Sequence, residues 1–260
     1  MTTIGDRAFS ECSSLESIDL PDSVTTIGYW AFSRCRSLKS IDLPDSLTTI
    51  GDSAFIDCDS LESIDLPDSV TTIGLFAFES CYSLKSIDLP DSVTTIGDSA
   101  FRGCHSLESI VIPDGVTTIG GGAFSGCSLL TSVEVSEKNE NYISVDGVLF
   151  TKDRKTFVQY PAGKKDKEYA IPSGVTTIGG VAFSGCSSLE SIDLPDSVTT
   201  IGDRAFSECS SLESIDLPDS LTTIADEAFD GCPSLTIRAP KGSFAEEYAK
   251  EKKIKFEAAE

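Results

Sequence analysis

Histidine, tryptophan and methionine each occur once in 260 residues. The single histidine, His105, follows Cys104 at a site where equivalent segments carry Ser, Arg, Asp or Tyr. A nucleophile needs a fixed base beside it, so His105 is read as a surface side chain and no catalytic residue is assigned. Basic residues are also scarce: 20 Lys and Arg stand against 42 Asp and Glu, a net charge of −22. That balance argues against nucleic acid and anionic membrane surfaces, and leaves basic partners or cations. No apolar run approaches the length of a membrane span, so membrane insertion is not expected. No apolar stretch follows Met1 as a secretory leader would require. Met1-Thr2-Thr3-Ile4-Gly5 begins in mid-pattern, with Met1 where Val24 stands one unit later. The chain therefore reads as a trimmed piece of a longer array, and the missing leader says little about compartment.

What the sequence has in abundance is repetition. The text Leu-x-Ser-Ile-Asp-Leu-Pro-Asp-Ser-Val-Thr-Thr-Ile-Gly-x-x-Ala-Phe-x-x-Cys-x-Ser is clearest from Leu38 to Ser60 and returns nearly verbatim from Leu61 to Ser83. Its cysteines fall at Cys12, Cys35, Cys58, Cys81, Cys104 and Cys127, each 23 residues after the last, and resume at Cys186, Cys209 and Cys232. A Phe stands three residues before each. A period in the twenties marks a stacked coil array, in which each unit contacts only its neighbours. The reading is one elongated domain, residues 1–260, made of a first coil array (1–136), an insert (137–168), a second array (169–237) and a C-terminal cap (238–260).

Within a unit, Leu38-Lys39-Ser40-Ile41-Asp42-Leu43 alternates as a half-buried strand, with Ile41 and Leu43 inward and Ser40 and Asp42 outward. Pro44 and Asp45 turn the chain, and Leu47 and Ile50 form a second inward pair on a short extended piece. Ala54, Phe55 and Cys58 have the spacing of one helical turn facing the core. Stacked identical strands run parallel, so ten or so coils make a rod roughly 45–50 Å long.

The pattern breaks after Val133 and Val135. Asp146-Gly147, between alternating segments, is a hairpin signal, and Lys152 to Lys155 is a second polar turn, so 137–168 reads as a small antiparallel meander projecting from the rod. Leu235-Thr236-Ile237 is a last repeat strand. Gly242 to Lys252 reads as an amphipathic helix with Ser243 as N-cap and Glu246 three residues on, and Ile254-Lys255-Phe256 as a final strand. Nothing comparable stands at Met1, so self-association through a bare first coil is expected.

The Leu-x-x-Ile-x-Leu core followed by Val-Thr-x-Ile-Gly-x-x-Ala-Phe-x-x-Cys-x-Ser-Leu resembles the BspA-like class of bacterial leucine-rich repeats. The resemblance extends to Val145–Phe150, Tyr160–Lys164 and Gly242–Ala249. It implies a right-handed, curved solenoid of short parallel strands, carried on secreted or surface proteins, with adhesion to matrix or cell-surface proteins as the usual role. Ser23 and Ser46 stand where ordinary leucine-rich repeats place Asn or Cys, so the asparagine ladder of that broader class is expected to be absent. The units are unusually alike, which leaves a structural spacer or a consensus-engineered array open as the alternative.

Nine cysteines without any Cys-x-x-Cys cannot all pair within one chain and are read as small buried thiols filling one ladder. Gly120-Gly121-Gly122 lacks the spacing and trailing Lys of a phosphate loop, so no nucleotide or other cofactor is expected. Two exterior features remain as candidates. Asp19, Asp42, Asp65 and Asp88 repeat at one outward position; they form either a solvated acidic face or a surface that gathers Ca²⁺ or a basic segment. The two residues after Gly vary, as Tyr29-Trp30 and Leu75-Phe76 do, and Tyr82 adds bulk beyond Cys81. Exposed together they make an apolar patch for a protein partner; otherwise each packs sideways onto the next coil or faces solvent singly.

Overall fold

The computed structural model describes residues 1–259. Each Thr-Ile pair forms a two-residue strand in register with the pair one unit on. Six of these strands, Thr3–Ile4 to Thr118–Ile119, make one parallel sheet. Three more, at Thr177–Ile178, Thr200–Ile201 and Thr223–Ile224, continue in a second sheet that begins inside the insert.

The piece read as merely extended is therefore the continuous strand. The Ser-Ile-Asp segment, expected to be the main strand, pairs in the coils up to Asp88 only through isolated bridges, Asp19 with Asp42 and Asp65 with Asp88. It becomes a strand from Ser109–Ile112 onward. The number of bonds accounts for this. On the Thr side Thr48 and Thr49 donate to the Thr25 carbonyl and Gly51 to the Ile27 carbonyl of the previous coil at 2.9 to 3.3 Å, whereas on the other side one bond per coil, from Lys39, Glu62, Lys85 and Glu108, spans 3.1 to 3.4 Å. The side with fewer bonds makes the weaker ladder.

The Ala-Phe-x-x-Cys segment is not a helical turn. Trp30 (φ 54) and Arg34 (φ 59) are left-handed, as are Arg7, Glu11, Ser53 and Asp57 in neighbouring coils. This conformation reverses alternate amides. Ala31, Ser33 and Cys35 donate three residues back, while Trp30, Phe32 and Arg34 donate to Asp52, Ala54 and Ile56 of the next coil at 2.8 to 3.0 Å. In a helical turn all amides would point back along their own coil, and this third ladder between coils could not form.

Inside, Phe9, Phe32, Phe55, Phe78, Phe101 and Phe124 stack with ring centroids 5.1 to 5.8 Å apart and planes within 5°. Cysteines form a parallel column. Most Sγ atoms donate to the Phe carbonyl 26 residues earlier at 3.0 to 3.2 Å. Cys35 to Cys209 are buried, but Cys12 is exposed and Cys232 half-buried, so the buried ladder stops short of both ends. A serine ladder stands where the asparagine ladder was expected to be missing. Ser46, Ser69, Ser92, Ser197 and Ser220 donate to the carbonyl 22 residues earlier at 2.5 to 2.7 Å.

The insert does not project. Tyr142–Val145 and Val148–Thr151 form the expected hairpin, with both turn residues left-handed (Asp146 φ 52, Gly147 φ 78). Thr156–Gln159 then pairs antiparallel with Val148–Thr151 and parallel with Thr177–Ile178, taking the place of a coil in the stack. Val148, Leu149, Phe150 and Phe157 are buried, since a meander this apolar cannot stand in water. Tyr160 takes the Phe rung below Phe183, at 5.4 Å. Its hydroxyl donates to Asp166 at 2.6 Å.

The cap forms as expected. Phe244–Lys252 is helical, and Ser243 Oγ accepts from the Glu246 amide. The Glu246 carboxylate accepts from the Gly242 amide at 2.6 Å and pairs with Lys250. These contacts hold its pKa below the usual carboxylate range. Tyr248 packs edge-on against Phe229, ending the aromatic stack, and Lys255–Ala259 adds a parallel strand beside Thr236–Pro240.

Candidate functional site

Because the interior is filled by Phe, Cys, Leu and Ile rungs, any site must lie on the outside. The residues after each Gly alternate for a structural reason. Asp6, Asp52 and Asp98 each accept, at 2.8 to 2.9 Å, the amide of the residue 23 later, namely Tyr29, Leu75 and Gly121. In the first array every second coil thus spends this position on a carboxylate that holds the next backbone, and Tyr29 and Leu75 stand in the coils between; in the second array Asp203 and Asp226 follow one another.

Tyr29 and Leu75 are exposed, at 42% and 40%, while Trp30 and Phe76 are half-buried. Tyr29 lies against Trp30 at 4.4 Å, and the Arg7 guanidinium covers the Trp30 ring at 4.3 Å. Asp52 and Ser53 occupy the same positions in the intervening coil, so the Tyr29–Trp30 and Leu75–Phe76 pairs sit two rungs apart, roughly 10 Å by strand spacing. Tyr82, 43% exposed, stacks at 5.0 Å on His105 of the next coil. The structure therefore places three separate apolar spots along the rod where one patch had been considered.

Asp19, Asp42, Asp65 and Asp88 are all exposed. Their row is interrupted by Val111, which is 56% exposed, and near its end by Arg238, whose guanidinium meets Asp216 at 2.9 Å. Neighbouring rows neutralise themselves through cross-coil pairs such as Lys39–Glu16, Lys85–Glu62 and Arg102–Glu79. Among the described residues no group of three or more His, Cys, Asp or Glu side chains is arranged to hold a metal ion. No helix among them is long and apolar enough to cross a membrane.

The buried thiols of the first array are poor nucleophiles. Burial pushes Cys35 up to about 11 and Cys127 up to about 12, and raises Cys58, Cys81 and Cys104 as well. A thiol that keeps its proton neither attacks nor binds metal.

Three polar side chains of the insert were not legible in the sequence. Asn139, fully buried, donates to the Pro113 and Val116 carbonyls and accepts from the amides of Asn141 and Tyr142. It serves the Val116 carbonyl as the repeat's Ser serves its counterparts, one residue out of the 23-residue register. The Tyr142 hydroxyl accepts from the Ile119 amide, the edge of the first Thr-Ile sheet. Gln159 donates to the Tyr160 and Ala182 carbonyls.

Residues 2–131 and 162–246 match the model of the BspA type leucine rich repeat region. The chain belongs to this family. Three solved structures are similar to this BspA-type chain. The pneumococcal vaccine antigen PcpA is 29% identical over 92% of this chain and 67% of its own, with a TM-score of 0.78. A leucine rich cell surface protein from Faecalibacterium prausnitzii is 32% identical over 100% and 83%, at 0.74. A leucine-rich repeat protein from Eubacterium ventriosum is 27% identical over 87% and 66%, at 0.68. Among curated proteins none matches. The family match skips residues 132–161, most of the segment where the structure replaces a coil by the meander.

Proposed function

We propose that this chain is a non-enzymatic, protein-binding scaffold from an extracellular or cell-surface protein, acting as one leucine-rich repeat domain. The observation that carries the reading is the exposure of Tyr29, Leu75 and Tyr82 at positions the fold leaves free. Tyr29 beside Trp30 and Leu75 beside Phe76 put aromatic and aliphatic area on the outer face, the kind of side chain that anchors protein partners. Two of the solved relatives are a vaccine antigen and a cell surface protein, which supports the surface location. The partner class is a matrix or cell-surface protein whose own apolar side chains meet the Tyr29–Trp30 and Leu75–Phe76 spots.

A pull-down against extracellular matrix and cell-surface proteins, followed by titration of the captured partner, tests this. Trp30→Ala and Phe76→Ala should each weaken binding roughly tenfold and leave thermal unfolding in place. Unchanged affinity in both variants retires these spots. The spacer reading requires that no partner binds saturably to any face. Self-association through the first coil has its own readout, a mass by light scattering that grows with concentration.

A further inference from the structure

The closing strand leaves the rod open on one side. Lys255–Ala259 lies beside Thr236–Pro240 at the end of a five-stranded parallel sheet, and among the described residues nothing pairs with its outer edge. At five residues it is longer than any other strand at the end of a sheet. The other sides of this end are shut. Tyr248 of the cap helix covers Phe229, and its hydroxyl donates to the Ala225 and Asp226 carbonyls just past the last Thr-Ile strand. A further coil therefore cannot stack here as the coils stack on one another. A single strand can, because alternate amides and carbonyls of an edge strand point away from its sheet.

The two faces of this strand differ. Phe256 stands beside the buried Ile237, and Ala258 beside the buried Ala239. With no rung beyond them, Ile254 and Phe256 are only half-buried and Ala258 is exposed. Lys255 and Glu257 are exposed on the opposite face, where their side chains meet at 2.8 Å.

We propose that this edge pairs with the same edge of a second copy, antiparallel about a two-fold axis at Phe256. Residues opposite one another in an antiparallel pair share a face, so a slip of one residue would set the apolar side chains against the charged ones. Three registers keep the faces matched within the strand. Centring on Lys255 sets two lysines against each other, and centring on Ala258 sets Glu257 against Ala259. Centring on Glu257 sets two glutamates against each other. Centring on Phe256 sets each Lys255 against the Glu257 of the other copy, Phe256 against Phe256, and Ile254 against Ala258. Opposite charges facing across strands attract and like charges repel. The strand is thus its own complement in one register, and that register also covers the apolar side chains that lack a rung. The contact is isologous and closes at two copies.

Light scattering and sedimentation of the full chain over rising concentration test the pairing. The parent mass should climb from 27.6 kDa toward twice that value. Glu257→Lys gives an edge with two lysines, and Lys255→Glu an edge with two glutamates. Alone, each variant should associate roughly tenfold more weakly than the parent, because two attractive pairs become two repulsive ones. Mixed in equal amounts, the two should pair with parental strength, since every lysine again faces a glutamate; a structural defect would not recover on mixing. Both side chains are exposed, so both variants should fold as the parent does by circular dichroism. Association through the first coil responds to neither substitution, which keeps the two contacts distinguishable. A parent that stays at 27.6 kDa, single variants that associate as the parent does, or a mixture that does not recover overturns the proposal.

Discussion

Raising the pH from 8 to 10 should destabilise the array through its cysteines. Seven thiols are buried, from Cys35 to Cys209. Burial keeps their protons on: Cys127 moves from 9.0 to about 12. A thiol whose pKa rises on folding contributes a stability that is whole below the unfolded value near 9 and is lost as pH climbs toward the folded value. Between pH 8 and 10 the unfolded chain gives up each of these protons while the native chain keeps them, which costs about 1.4 kcal/mol per thiol. Seven thiols give roughly 10 kcal/mol if the coils melt together, as much as the whole stability of an ordinary domain. Thermal or urea unfolding followed by circular dichroism, under reductant, at pH 8, 9 and 10 measures it. The triple variant Cys58→Ala, Cys81→Ala, Cys104→Ala is less stable at pH 8 but should lose about 4 kcal/mol less on going to pH 10. A melting curve that does not move between pH 8 and 10, or an equal loss in the triple variant, would refute the reasoning. Thiol labelling at neutral pH should find Cys12 reactive in the native chain while Cys58, Cys81 and Cys104 wait for denaturant.

Asn139→Ala should cost about 2–4 kcal/mol in urea unfolding, because it strands two buried carbonyls and two amides at once; a loss below about 1 kcal/mol would mean that water replaces the side chain. Gly115→Ser restores the residue most coils carry, yet it should destabilise by about 1–3 kcal/mol, since a Cβ there would run into the Asp91 carbonyl. A higher melting temperature in that variant would contradict the close approach. Tyr248→Ala should expose Phe229 and free the Ala225 and Asp226 carbonyls that its hydroxyl bonds, lowering stability by about 3 kcal/mol; dye binding to exposed apolar surface should rise with it.

The 23-residue text was enough to read the inward Phe and Cys columns, the parallel stacking, the Asp146-Gly147 hairpin and the Ser243-capped helix, because each rests on neighbours close in sequence or on exact repetition. It misplaced what depends on how coils lie against one another. Ala54, Phe55 and Cys58 satisfy the spacing of a helical turn, but left-handed Ser53 and Asp57 turn alternate amides toward the next coil, and spacing alone does not carry φ. The meander looked detachable because its hydrogen bonds close locally; its apolar faces are what pull it into the stack. Tyr29, Trp30, Leu75, Phe76 and Tyr82 were recognisable as variable and bulky, but that Tyr29, Leu75 and Tyr82 stand exposed while Trp30 and Phe76 tuck in was visible only in the folded chain.

By itself, then, the sequence determined the period, the buried columns and the closing helix: a strict repeat gives every coil the same partner above and below, so one unit's pattern decides the whole rod. Tertiary structure alone decided which side of the coil carries the denser ladder, how the insert substitutes for a rung, and how closely Gly122 approaches Val181 where the arrays meet. Those outcomes depend on spacing between coils and on backbone angles at single residues, and neither is written in the order of the side chains.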